Sequence, residues 1–369
     1  MRRPLLLAAA LLAPGVVAAQ PTPQAAPPPI APAAAAKPRC DAVRIPELPI
    51  CAETPGGLVY APDRTEAERN AAYAAAGEAR FRRHFDRAPP SYAMVIGRLT
   101  PELQATFRAA GIKTVLPWLT AEQQRTAHGD AMRRAAEAQA KASGLDAAAT
   151  EALLARIMQG PGGQQMIERN PGVVAHELGH AWFIQTFWPG FAVDRQGHYG
   201  GPAPDWLDET AAILMEDERM NNDRRDQFRM LHTGKAKGAL SGRPDPLPAF
   251  LSKDHPMKGT QQALMGQGAA GAAGQPQVQM IVSRQDGSSD PRSAEAPRFY
   301  LQGRAWADFL IDRSGRPAIF ADIASAMADG RTLEQWLAAE GPRNGLGATL
   351  PETERLWAAW LQARYGPPT

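Results

Sequence analysis

The sequence predicts a mostly helical α+β protein, with a small mixed α/β lobe at the N-terminal side and a helical lobe at the C-terminal side. Three observations carry that prediction. Capped, helix-period apolar segments recur from Thr65 onward and dominate the chain from Phe299 to its end. The clearest strand-like runs fall in the first third, and 44% of the 369 residues are hydrophobic, enough for a packed core over most of the length.

Residues 1–19 read as a cleavable secretory signal: Met1-Arg2-Arg3, an apolar run from Leu5 to Leu12, and small residues Val17-Ala18-Ala19 before Gln20. Pro4 and Pro14-Gly15 interrupt the run, which is too short to span a bilayer, and no later stretch reaches eighteen consecutive apolar residues. Residues 20–38 are almost entirely Pro, Ala and Gln and predict an extended tether. The expected location is therefore the periplasm or the cell exterior. Cys40 and Cys51 are the two cysteines, and in an oxidising compartment a pair this close predicts a disulfide. With 40 basic against 38 acidic residues and no long basic run interleaved with aromatics, a nucleic-acid partner is disfavoured.

Residues 39–168 form the expected N-terminal mixed lobe. The capping pair Thr65 and Glu68 opens a helix that carries Ala72, Tyr73, Ala76 and Phe81 and ends near Phe85, before Pro89-Pro90. Ser91 to Gly97, with Tyr92, Met94, Val95 and Ile96, reads as a strand. A second helix starts at Thr100-Pro101 and stops at Gly111, ahead of the apolar run Ile112 to Leu116. Thr120 and Gln123 cap an Ala-rich helical stretch to about Gln159, broken at Gly144, and Gly160-Pro161-Gly162-Gly163 reads as a turn.

Residues 169–369 form the second lobe, and its opening helix carries the chemistry. Starting near Asn170-Pro171 and stopping before Trp188-Pro189-Gly190, it contains His176-Glu177-Leu178-Gly179-His180. Residues four apart on a helix differ by only about 40° in direction, so the two imidazoles project from one face and can grip one Zn²⁺. Glu177 sits at the edge of that face, where a carboxylate can take a proton from the attacking water. Gly179 allows another element to approach closely. A catalytic zinc normally takes three protein ligands, so a third is needed. The glycine and histidine of a metzincin are excluded, because those positions hold Phe183 and Thr186. His198 is available on a Gly/Pro-rich loop over 189–204; Glu209, on a following helix from Pro204 to Met215, is the stronger choice, since a carboxylate in apolar surroundings needs a reason to be there. Asp208, Glu216 or Asp217 would orient a histidine from behind.

From about 221 to 298 helical periodicity is weak, and a mobile surface excursion is expected, with Val278 to Val282 its one strand candidate. Helices follow over Tyr300–Asp312, Pro317–Met327, Thr332–Ala339 and Pro351–Tyr365, the last two with capping pairs Thr332 with Gln335 and Thr349 with Glu352. Trp306, Trp336, Trp357 and Trp360 are expected to pack their core.

With these residues in hand, the chain resembles the gluzincin zinc metallopeptidases, the peptidase MA-like group that includes thermolysin-like enzymes and aminopeptidase N relatives. Their H-E-x-x-H is followed by a helix resembling W-L-x-E-G-x-A, here Trp206-Leu207-Asp208-Glu209-Thr210-Ala211-Ala212, with Thr210 where the family usually has Gly. Tyr300-Leu301-Gln302-Gly303 resembles the Y-x-x-G segment of the aminopeptidase-like branch, while no G-x-M-E-N motif occurs. The resemblance covers about 170–220 and 298–365. It implies a zincin-like fold with the zinc site between the two lobes, and one Zn²⁺ on His176, His180 and Glu209. It further implies Glu177 as general base, Tyr300 as stabiliser of the oxyanion, and a peptide or protein substrate; without the G-x-M-E-N motif, endopeptidase action or an unusual substrate is preferred over aminopeptidase action. The alternative from another class is a catalytically silent, zinc-stabilised periplasmic binding or scaffolding protein of the same fold.

Overall fold

Two short β runs separated by Thr54-Pro55-Gly56 begin the structured chain. The computed structural model describes residues 37–368, apart from Arg98, Lys113, Met257, parts of 121–145, and the segments 160–170, 192–200, 238–239 and 259–290. The expected signal segment, most of the tether, His198, the turn at 160–163 and the strand candidate at 278–282 lie outside the described residues. Among those described, eleven helices and a four-stranded sheet make a mostly helical α+β protein, as the sequence predicts.

Strands β1 (Ile50–Glu53) and β2 (Gly57–Ala61) pair antiparallel, and β3 (Tyr92–Ile96) and β4 (Thr114–Trp118) add to β2 in parallel, in the order β1-β2-β3-β4. The parallel pairs require crossovers, supplied by helix α1 (Arg64–Phe85) and helix α2 (Pro101–Ala109). Side chains alternate across the sheet. Val59, Ala61, Tyr92, Met94 and Ile96 join the main core with α1, whereas Leu58, Tyr60, Ala93 and Val95 pack with Phe107 of α2, Val43, Ile45 and Leu48. Both faces are buried, so every residue of β2 and β3 is buried and the period-2 signal disappears. That is why the sequence reading missed β2, while β1, half-buried to exposed, has only four residues in which to show a period. The expected disulfide Cys40–Cys51 ties the incoming segment to β1 and contributes about 2–3 kcal/mol through the unfolded chain.

Helix α1 starts at Arg64, one residue before the expected cap: Asp63 accepts a hydrogen bond from the Glu66 amide at 2.8 Å, displacing Thr65 from the capping role. Thr100 caps α2 as expected. Thr120 and Gln123 exchange both capping-box hydrogen bonds, and the Ala-rich stretch breaks at Gly144, whose φ of +65° suits glycine. Helix α3 (Ala147–Gln159) follows.

Helix α4 (Pro171–Phe187) lies on α1, helix α5 (Asp205–Met215) lies on α4, and helix α8 (Pro291–Ser314) packs in turn on α5. A side chain on Gly77 of α1 would meet the Ala175 Cβ at 2.9 Å, and one on Gly179 of α4 would meet the Ala212 Cα at 3.0 Å. Glycine on either side thus lets α4 be gripped between two helices, with Trp182 packed edge-on to Phe81 and Tyr92 at 5.9 and 5.1 Å.

The excursion expected from about 221 instead opens with helices α6 (Glu218–His232) and α7 (Leu247–Ser252), which place Phe228, Leu231, Leu247 and Phe250 in the core. Helix α6 escaped detection because its inward face is largely polar: Asn221, Arg224 and Arg225 point at buried partners. Helix α8 begins at Pro291, earlier than expected, and carries Pro297 inside it. Helices α9 (Ile319–Ala328), α10 (Leu333–Glu340) and α11 (Leu350–Tyr365) complete the chain, the last two opened by the anticipated capping boxes. Trp306, Trp336 and Trp357 are buried; Trp360 is half-buried and donates from Nε1 to Asp312.

Candidate metal centre

Helix α5 is buried along every residue from Trp206 to Met215, and Glu209 stands in that apolar body with 1% of its surface exposed. A carboxylate so placed costs several kcal/mol unless something compensates it, on the order of what isolated buried ions require. The compensation comes from α4. His176 and His180 stack edge to face with ring centroids 5.0 Å apart and turn toward the same carboxylate. His176 Nε2 lies 3.2 Å from Glu209 Oε1, and His180 Nε2 lies 3.7 Å from Glu209 Oε2. One ligand atom from each of the three residues falls within 4.8 Å of the others, so the buried group can hold a metal ion.

The far nitrogens of both rings face other carboxylates. His176 donates from Nδ1 to Glu216 Oε1 at 2.9 Å, and His180 Nδ1 lies 3.0 Å from Asp208 Oδ1. Of the three carboxylates considered from sequence, Asp208 and Glu216 take these places, and Asp217 caps α6 instead by accepting from the Met220 amide. This arrangement fixes ring orientation and leaves each Nε2 directed inward, as metal-binding histidines require. Glu216 is itself gripped by Arg224, which donates from Nε at 2.6 Å and from Nη2 to the second oxygen.

Burial alone would lower the His176 pKa, but the Glu209 carboxylate overrides it and carries it to about 10. His180 is likewise raised, burial being outweighed by Asp208. Burial would raise Glu209, and His176 holds it well below the usual carboxylate range instead. The cluster thus concentrates charge that the fold keeps out of water.

Both oxygens of Glu209 are buried, and among the described residues neither has an aligned hydrogen-bond donor despite the close histidines. Two imidazole nitrogens and one carboxylate oxygen converging on such a spot suit a borderline divalent cation and leave a fourth position open. This donor chemistry fits zinc.

Glu177 follows His176 on the same helix and is half-buried. Tyr300, on α8, is also half-buried, and its ring centroid lies 6.3 Å from that of His176, so α8 brings this residue to the cluster. Sequence reading missed His255. It follows α7, its backbone amide donates to Asp205 Oδ2 at 2.8 Å, and its Nε2 lies 3.6 Å from Glu209 Oε2. Its ring packs against Phe299 and Tyr300 at 5.2 and 5.4 Å, and burial lowers its pKa to about 4, which keeps it neutral. No pattern in its neighbourhood announces it.

Comparison with protein families, with curated proteins and with solved structures finds no match.

Proposed function

We propose that this chain is an exported zinc metallopeptidase of the gluzincin type, an endopeptidase that hydrolyses peptide bonds. The observation that carries this reading is the buried His176, His180 and Glu209 group one residue from a carboxylate on the same helix. The Cys40–Cys51 disulfide supports an oxidising compartment.

In this reading His176, His180 and Glu209 hold the ion, with Glu216 and Asp208 fixing the two rings. A zinc ion held there supplies Lewis-acid polarisation of the scissile carbonyl and of the attacking water. Glu177 takes the proton from that water and returns it to the leaving amine. Tyr300 donates a hydrogen bond to the oxygen on which negative charge develops. Neutral His255 packs between Glu209 and Tyr300 and keeps water from that side of the carboxylate.

The test uses purified mature protein, a quenched peptide library and metal analysis. Cleavage that disappears on chelation, returns with zinc and is lost in Glu177→Gln is the expected result. Zinc bound and stabilising, with no peptide cleaved, would replace the peptidase by the silent scaffold of the same fold.

A further inference from the structure

Arg224 touches both halves of the site. On one side its guanidinium grips Glu216 through Nε and Nη2, and Glu216 accepts from His176 Nδ1 at 2.9 Å. On the other side the guanidinium carbon lies 5.1 Å above the ring of Tyr300. The planar fork of arginine can do both at once, a two-point pairing in its plane and stacking on its face; lysine cannot. We propose that Arg224 is a positioning residue that couples the metal-binding imidazole of His176 to the ring of Tyr300, so that the two functional groups keep one relative geometry. The proposal rests on the zinc peptidase reading above.

The seam around Arg224 supports this role. Helices α6 and α8 are locked in register by a buried network beyond the site. Arg225 donates twice to Asp308, Arg304 donates to the same Asp308 at 2.7 Å, and Arg304 also reaches Asn221 Oδ1 at 3.1 Å. Asn221 in turn donates to the Glu216 backbone carbonyl at 3.0 Å. Tyr300, Arg304 and Asp308 recur every four residues on α8, so the ring that Arg224 covers is placed by the same helix face that carries the lock. Arg224 is therefore the member of a fixed seam that points at the metal group, and Tyr300 is what it meets there.

The experiment is a double-mutant cycle with zinc and one quenched peptide that the wild type cleaves. Arg224→Lys keeps the charge opposite Glu216 and loses the fork and the stacking. The expected kcat loss is about tenfold with KM within about twofold, and zinc affinity, read by competition with a chromophoric chelator, weakens severalfold. Tyr300→Phe keeps the ring, so its zinc affinity stays at the wild-type value while kcat falls. In the Tyr300→Phe background, Arg224→Lys costs less than about twofold in kcat, because the hydroxyl it positions is gone. Arg224→Gln, which removes the charge, weakens zinc binding by about tenfold or more, and Arg224→Lys answers the same question should Arg224→Gln not fold. Equal kcat losses in both backgrounds, or wild-type zinc affinity in both arginine variants, overturn the proposal. An active, zinc-loaded wild type with such independent losses sinks this inference alone, and a chain that takes up no zinc sinks it together with the function.

Discussion

Two buried glutamates, one on α1 and one on α5, set two regions of the protein against each other. Glu78 of α1, 0% exposed under the sheet, accepts from the Thr54 hydroxyl at 2.6 Å, the Gly56 amide at 3.1 Å, the Tyr92 hydroxyl at 2.9 Å and Arg82 at 3.3 Å. Glu209 of α5 is as deeply buried, yet among the described residues no aligned donor serves either of its oxygens, and it faces imidazoles that are themselves held from behind. A satisfied carboxylate joins elements together. One whose nearest groups are two imidazole nitrogens belongs to a buried group that can hold a metal ion.

The largest expected effects separate chemistry from binding at the second of these. Glu177→Gln lowers peptide hydrolysis by about 10² to 10⁴-fold, the range of a general base, while zinc content stays at one per chain. Glu209→Gln loses both, since two histidines alone hold the ion poorly. Zinc content measured beside turnover checks the pair; a Glu209→Gln protein that retains zinc and cleaves peptide would end the assignment of the third ligand.

Next in size is stability. Zinc at about 100 times its Kd adds about 2.7 kcal/mol to the unfolding free energy of the wild type. Glu209→Gln removes that increment. Glu78→Gln keeps it but lowers the baseline by about 1–3 kcal/mol, because the Thr54, Tyr92 and Gly56 donors exchange a charged acceptor for a neutral amide oxygen and an NH2 replaces the oxygen that accepts from Arg82. Denaturant melts with and without zinc distinguish the two, and a zinc increment lost in Glu78→Gln would erase the contrast.

Gly179→Ala probes the contact that brings the two histidines to Glu209. The added methyl would sit 2.8 Å from the Met215 side chain and 3.0 Å from the Ala212 Cα, the second of which is backbone and cannot swing away. Overpacking of this kind costs about 1–3 kcal/mol and pushes α4 from α5, so zinc affinity falls along with stability. Stability lost with zinc affinity intact would show that the helix spacing does not set the ligand geometry.

What the sequence made legible follows from how local each signal is. His176, Glu177 and His180 are readable because one helical turn brings them together, and Glu209 because a carboxylate in Trp206 to Met215 breaks an apolar run. Tyr300 was reachable only through a family resemblance. Asp208 and Glu216 were named among three, and choosing between them needed the angle at which α5 meets α4. His255 and Arg224 were invisible: both lie where the apolar period is weak, and α6 turns polar residues inward, so neither periodicity nor a motif marks them. Strand β2 was lost for the opposite reason, since burial on both faces replaces alternation with a continuous apolar run, and β1 because its four half-buried to exposed residues are too few to show a period.

The imidazoles repeat the comparison at a smaller scale. His84 lies on α1 with Nδ1 3.2 Å from the Pro317 carbonyl and its ring beside Phe320, and burial lowers its pKa to about 4 from the ordinary 6.5. His176, facing Glu209, moves the other way. Between about pH 6.5 and 4 the unfolded chain binds a proton that folded His84 refuses, so stability rises with pH across that window. The His84 contribution is complete above about pH 6.5 and is lost as the pH falls toward 4. Because its side chain is only partly enclosed, the loss amounts to about 2 kcal/mol rather than the full value of the shift. Urea unfolding of the chelator-treated chain at several pH values measures this, with His84→Gln as the control that keeps a donor for the Pro317 carbonyl but cannot take the proton. The variant should follow a shallower curve than the wild type between pH 6.5 and 4, while the contribution of His255, shifted in the same direction, cancels in the difference. Parallel curves would mean that His84 titrates freely in the folded chain, and that burial on α1 does not hold an imidazole neutral as its packing requires.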